Sequence, residues 1–359
     1  MTLSVLAWDH PRALRPLRAC QAAWAEAGEE PFELATRSLE SFGDGVIGVG
    51  GHDLLLIDHP HVGLAARAGT LAPLDELLDA ATLRALADDA VGPSHGSYAY
   101  AGTQWAVALD AACQALATGR GRSAPRTWSE VLELVAERPG RVALPLRPQH
   151  AISALLSVLE AHGARLGGPS LAAAEALGEA VSLLAQLAAA GPRGAFDWEP
   201  PDVLERLAAG ALDCVPLTYA YVGYDVDWHD APSRGPSGPP GSILGGVGAA
   251  VASSSREAAG AARLAAWLAS AAVQRDLVGP SGGQPASRTA WETADADPLL
   301  PAVRRTIERC GVRPRDPWWP AFQRDAGVLL ADGLRERSAP SELAAALDDL
   351  YGQAREPAS

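Results

Sequence analysis

The chain has 359 residues, 48% of them hydrophobic, with a net charge of −14 and a pI near 5.0. That length suits two domains and that apolar share fills two cores; the acidity makes nucleic acid and anionic membrane surfaces poor partners. Four cysteines, at 20, 113, 214 and 310, form no C-x-x-C pair and are too few for a disulfide framework, and no run of about 18 apolar residues marks a membrane span.

Leu3 to Ala7 reads as a first strand that exits into Trp8-Asp9-His10-Pro11. Residues 12 to 28 have helical spacing (Leu14, Leu17, Ala22, Trp24) and end at Gly28. Phe32 to Ala35 is a second strand, leading to Arg37-Ser38. Asp53 to Ile57 is continuous and apolar, which predicts a strand buried on both faces. It exits into Asp58-His59-Pro60-His61, and residues 64 to 91 are helical with short breaks. Trp105 to Leu109 is a further strand, running into Asp110 with Cys113 and Gln114 beyond. Strands alternating with helices predict a parallel sheet, whose ligands bind outside the carboxyl ends of the strands. Three strand exits are therefore expected to face one mouth.

A second block opens at Pro125, with Thr127 to Glu130 as a capping box. Arg141 to Leu146 reads as a strand, and 151–163 and 170–190 as amphipathic helices. Leu204 to Leu207 is a short helix closed by Gly210. Asp213 to Tyr221 reads as a strand with Tyr219 and Tyr221 on one face. Residues 230–241 are a loop by composition. Ile243 to Val251 is a returning strand whose glycines, Gly245 and Gly246 among them, permit close approach to a ligand or another strand. Ser254 to Glu257 reads as a second capping box opening a helix to about 275, and helices follow near 299–310, 318–336 and 341–353.

The order of these pieces resembles the family 1 extracellular solute-binding proteins, the carbohydrate-type receptors of ABC importers. The resemblance rests on Asp53-to-Asp58, GTQWAVALD, PRTWSEVLELV, Trp198 through ERLAAGALDCVPL, ILGGVGAAV followed by SREAAGAARLAAWLAS, SGGQPASRTAW and RPRDPWWPAFQRDAGVLLADGLRE, nearly the whole chain. It implies an α/β, two-lobed periplasmic-binding-protein-like fold (type II), lobes joined by crossing hinge strands with a ligand cleft between them. One lobe is expected at 1–107 plus 247–300 and the other at 112–242 plus 305–359, with hinges near 105–112 and 243–250. The implied function is closure on a small polar, carbohydrate-like ligand, by a monomer that meets an ABC permease if exported. The N-terminus has no basic region, apolar core or cleavage site of a signal peptide. The chain as written is therefore expected in the cytoplasm, and outside it if a signal was removed.

Candidates for ligand contact are Trp8, Asp9, His10, Arg37, Ser38, Asp58, His59, His61, Asp110, Tyr219, Tyr221, Gly245 and Gly246. Aromatic rings offer stacking platforms, Trp228 and Trp319 being further ones. The repeated Asp-His-Pro tripeptide offers hydrogen-bonding carboxylates and imidazoles, or alternatively caps its own turns. Asp110 heads the polar set, and its replacement by alanine is expected to weaken binding without changing the melting temperature. Arg12 and Arg37 could line the mouth. No metal site and no cofactor are expected. An alternative is a cytosolic enzyme on the same fold, similar to thiaminases in position only, with Cys113 as nucleophile and Asp110, Asp225 or a histidine as base. A third reading is a ligand sensor whose bound form is read by a partner.

Overall fold

The apolar run Leu3–Trp8 forms β1. Pro11–Glu26 forms helix α1 and Phe32–Arg37 forms β2. In α1, Ala13, Leu17, Cys20 and Trp24 recur on one buried stripe, and Pro11 sits at the start, where a missing N–H costs nothing. The continuous apolar segment Leu54–Ile57 is β3, buried at every position. Ala106–Thr118 is β4, and Trp128–Glu137, Pro148–Ala161, Ala174–Ala190 and Pro200–Ala208 are α2 to α5. Cys214–Tyr219 is β5, Asp227–His229 is β6 and Leu244–Val251 is β7. Ala258–Ala269, Trp319–Glu336 and Pro340–Arg355 are α6 to α8. This is a computed structural model, and it describes residues 2–38, 41–42, 50–293 and 297–356.

The chain divides into two compact units. The first comprises Met1–Ala112, Gly245–Pro301 and Arg315–Pro320; the second comprises Cys113–Leu244, Ala302–Pro314 and Ala321–Ser359. In the first, β1 pairs in parallel with β2 and with β3, and β3 pairs antiparallel with β7. The three parallel strands thus end at one edge. The core beneath the sheet joins Leu3, Val5 and Leu56 to Leu17 and Trp24 of α1 and to Leu264 and Leu268 of α6. In the second unit, the later part of β4 pairs antiparallel with β5 and β6. Helix α3 is buried almost all round, from His150 through Leu159, rather than amphipathic as its sequence suggested. Residues 315–320, placed with the second lobe by sequence, belong to the first unit. There a side chain at Gly63 would strike the Arg315 carbonyl.

Several local expectations are revised. Residues 141–146 form no strand; Val142 makes a single bridge to Cys214. Strand β5 stops at Tyr219, so its alternation does not extend to Tyr221. The Thr127 capping box forms as read, but the Ser254–Glu257 one does not. Ser255 Oγ donates instead to Asp53 Oδ1 at 2.6 Å, and α6 starts at Ala258 behind Glu257.

Candidate functional site

At the carboxyl edge of the parallel strands, Trp8 and Arg37 stand opposite one another at the ends of β1 and β2. Both meet Phe42: the Trp8 ring lies 5.4 Å from it, and the Arg37 guanidinium lies over its face at 5.2 Å. Arg37 Nη2 also donates to the Leu56 carbonyl at 2.8 Å, and burial pulls its guanidinium below its ordinary range. The next residue, Ser38, is exposed and accepts from the Ser41 amide.

The two Asp-His-Pro turns behave differently. After β1 it is His10 that caps α1, its Nδ1 accepting from the Arg12 amide at 3.1 Å. An acceptor Nδ1 requires that nitrogen unprotonated. Burial, then Arg12 and Arg15, lower the His10 pKa and favour that form. Asp9 is left exposed. After β3 it is Asp58 that caps the turn His59–His61, its Oδ1 accepting from the His59 amide at 2.9 Å. His59 is 0% exposed and edge-on to Tyr98, and His61 is 4% exposed. These two imidazoles are buried in the turn after β3 rather than open to solvent as the sequence reading expected.

Asp110 is not at a strand exit, because β4 runs on through it to Thr118. Its carboxylate is clasped by Arg12, with Nε at 2.8 Å from Oδ2 and Nη2 on Oδ1. Both residues are under 9% exposed. Trp8, Arg12, Asp110 and Gln284 line one small cavity of the first unit, so the structure does bring Trp8 and Asp110 together. Gly246 lies in the left-handed region at φ +122°, and a side chain there would collide with the Asp110 carbonyl. Its freedom therefore serves the approach of another strand. Gly245 is buried beside it in β7.

Cys113 is 0% exposed, and burial pushes its thiol well above the ordinary range. The bases proposed for it are engaged elsewhere: Asp110 by Arg12, and Asp225 by Arg120 on the exposed surface. Trp319 is wholly buried against Trp318, Trp228 is buried in β6, and Tyr221 is buried past the end of β5. All three are buried, as is Trp8 at 5% exposed, so burial does not separate them from the Trp8 ring.

The second unit holds a cluster that the sequence reading did not single out. Gln149 and His150 lie in the first turn of α3, and Glu199 caps α5. His150 Nε2 meets Glu199 Oε2, Gln149 Nε2 donates to the same oxygen at 3.3 Å, and Arg147 Nη1 lies 2.8 Å from Oε1. The Tyr219 ring stands edge-on to His150 at 6.3 Å. Burial alone would raise the Glu199 carboxyl; the His150 hydrogen bond and the His150 and Arg147 charges outweigh it and hold it below its usual value. The available signal was Pro148 at a helix start followed by two polar residues, where chain ends of helices concentrate unpaired N–H groups. Each unit thus carries carboxylate, cationic and aromatic groups suited to orienting a hydroxylated molecule. Among the described residues there is no group of histidine, cysteine and acidic side chains able to hold a metal ion, and no helix long and apolar enough to cross a membrane.

A family model described as bacterial extracellular solute-binding protein matches residues 48–302. No curated protein sequence matches the chain. Among solved structures, an ABC transporter solute-binding protein from Thermotoga lettingae, bound with α-D-tagatose, superposes with a TM-score of 0.83 at 17% identity, covering 98% of this chain and 99% of that one. One from Agrobacterium radiobacter in complex with ribitol gives 0.81 at 20% identity, covering 98% of each chain. The GacH receptor of Streptomyces glaucescens, studied unliganded and with acarbose, gives 0.79 at 18% identity over the full length of both. The chain belongs to the bacterial extracellular solute-binding proteins and has the two-lobed α/β fold of ABC-importer receptors.

Proposed function

We propose that the protein binds a small polyhydroxylated solute, a sugar or polyol, and presents it unchanged to an ABC permease from outside the cytoplasm, acting as a monomer. The observation that carries the reading is the convergence of Trp8, Asp9, Arg37 and Asp58 at one carboxyl edge of a parallel sheet. A ring face stacks on the apolar side of a sugar, and flanking carboxylates and guanidinium pair with its hydroxyls. The Arg147, Gln149, His150 and Glu199 cluster offers a second set of the same chemistry. The tagatose, ribitol and acarbose held by structurally similar proteins support this solute class. The enzyme alternative gains no support, since a nucleophile needs an accessible thiolate, whereas Cys113 is buried and burial raises its thiol pKa.

The test is a thermal-shift screen of the purified protein against aldoses, ketoses, alditols and amino acids, followed by calorimetric titration of each hit and chromatography of the recovered solute. A sugar or alditol that stabilises the protein and returns intact supports the proposal. Stabilisation by amino acids alone, or a solute recovered chemically changed, refutes it.

A further inference from the structure

We infer that the second unit carries an anion site of its own: a cavity walled by Arg122, Arg126 and Arg305 that takes a small multivalent oxyanion, of the phosphate or polycarboxylate class. Three stretches of that unit form it, 122–126 beyond β4, 228–238 from β6 onward, and 302–305. Hydrogen bonds hold the stretches together. The Ser233 amide donates to the Arg126 carbonyl at 3.0 Å, and the Trp128 amide donates to the Ser233 carbonyl at 3.1 Å. Thr306 Oγ1 donates to Asp230 Oδ1 at 2.7 Å and accepts from the Ala231 amide at 3.1 Å. The volume is about 810 Å³, inside the range of roughly 300–1,000 Å³ that small-molecule sites occupy.

The charge on these walls runs against that of the chain, whose net charge is −14. Arg122 Nη2 lies 3.0 Å from the Asp213 carboxylate, but the same carboxylate meets Arg138 at 2.6 Å and Arg141 at 2.8 Å. One carboxylate offsets one of three guanidiniums, so positive charge remains unmatched there. Arg126 is exposed and makes no ion pair among the described residues. Arg305 is matched, its Nε 3.5 Å from Asp230 Oδ2. His229 adds no charge near neutral pH, since burial lowers its pKa against the pull of Asp227 and Asp230. Each guanidinium carries five N–H donors in a planar fork, a shape that meets phosphate and carboxylate oxygens two at a time. A concave wall of one sign also focuses its field on an incoming anion. A neutral polyol has no charge for these guanidiniums to meet, so the chemistry differs from that of the proposed solute site.

The inference does not rest on the solute reading, and its test needs no sugar. Wild-type protein is titrated calorimetrically with sodium pyrophosphate and, separately, with sodium citrate, at an ionic strength held constant with sodium chloride. Saturable binding of at least one probe is expected, and which one binds tells the phosphate source from the carboxylate source. Arg126→Gln should bind it about 10-fold more weakly, and Arg122→Gln/Arg126→Gln about 100-fold more weakly, the worth of one and of two charge-assisted contacts. Arg324→Gln, which removes an exposed arginine outside the cavity, should leave the affinity unchanged. The Arg126 side chain is exposed, so Arg126→Gln should keep the wild-type melting temperature. No saturation by either probe, wild-type affinity in Arg126→Gln, or an equal loss in Arg324→Gln overturns the inference. If the double variant does not fold, Arg126→Gln decides alone.

Discussion

Replacing Asp110 with alanine tests the placement of the Arg12–Asp110 pair most sharply. Both side chains are nearly enclosed, at 7% and 9% residual exposure. Alanine removes the carboxylate and, with it, the two bonds Arg12 makes to it in a buried setting. Breaking one partner of a buried pair costs about 3–5 kcal/mol, because an uncompensated charge remains. At about 2–4 °C per kcal/mol for a unit of this size, the melting temperature should fall on the order of 10 °C. This reverses the expectation from sequence that the substitution would leave stability unchanged. The double variant Arg12→Met/Asp110→Leu should recover most of the loss, since replacing both charges with apolar groups is often near neutral. Calorimetry and denaturant titration of wild type, the two single variants and the double variant form the cycle. A single variant within about 1 kcal/mol of wild type, with no coupling in the cycle, would refute the argument and show the pair to be screened by solvent.

Other consequences can be checked separately. Burial raises the Glu160 carboxyl from 4.5 to about 7. A raised folded pKa gives stability that is complete below about 4.5 and lost as pH climbs through about 7, so Glu160→Gln should be the more stable protein at pH 8 by about 1–3 kcal/mol and no more stable at pH 4.5. All four cysteines are buried; a thiol reagent should titrate none of them in native protein and all of them in denaturant, and rapid labelling of Cys113 in native protein, located by peptide mapping, would contradict its burial. Gly246→Ala should destabilise by about 1–3 kcal/mol, from the positive φ and the collision with the Asp110 carbonyl, measured by denaturant unfolding. Asp9→Asn alters an exposed carboxylate and should leave the melting temperature unchanged while lowering solute affinity about 10- to 100-fold, the worth of a charge-assisted hydrogen bond.

The first strands and the family were legible because their signals are local, although the strand read at 141–146 does not form. Leu54–Ile57 is apolar at every position and is buried at every position. Thr127 and Glu130 cap each other within one turn, so their pattern needs no distant partner. Where a distant partner exists, the reading failed. The Ser254–Glu257 box does not form: the helix starts behind Glu257, and the neighbouring Ser255 bonds to Asp53, 202 positions away. Asp110 looked like a solute contact because the strand from Trp105 to Leu109 runs out into it, yet Arg12 arrives from 98 positions away to pair with it. His59 and His61 follow a polar strand exit, and only the fold decides that they are buried in the turn beyond it. Trp8, Arg37 and Asp58 stand at one edge because parallel strands must end together, a consequence of topology that alternating elements do announce. His150 and Glu199 lie 49 positions apart, and neither carries a motif that names the other.

The most direct test of the account is calorimetric titration of wild-type protein with the best sugar or alditol from the screen, with the solute recovered afterwards. Saturable one-to-one binding of an intact solute is predicted, and at 100 times its dissociation constant it should add about 2.7 kcal/mol of stability. Failure of every sugar and alditol to bind, or turnover of the solute by the protein, would contradict it.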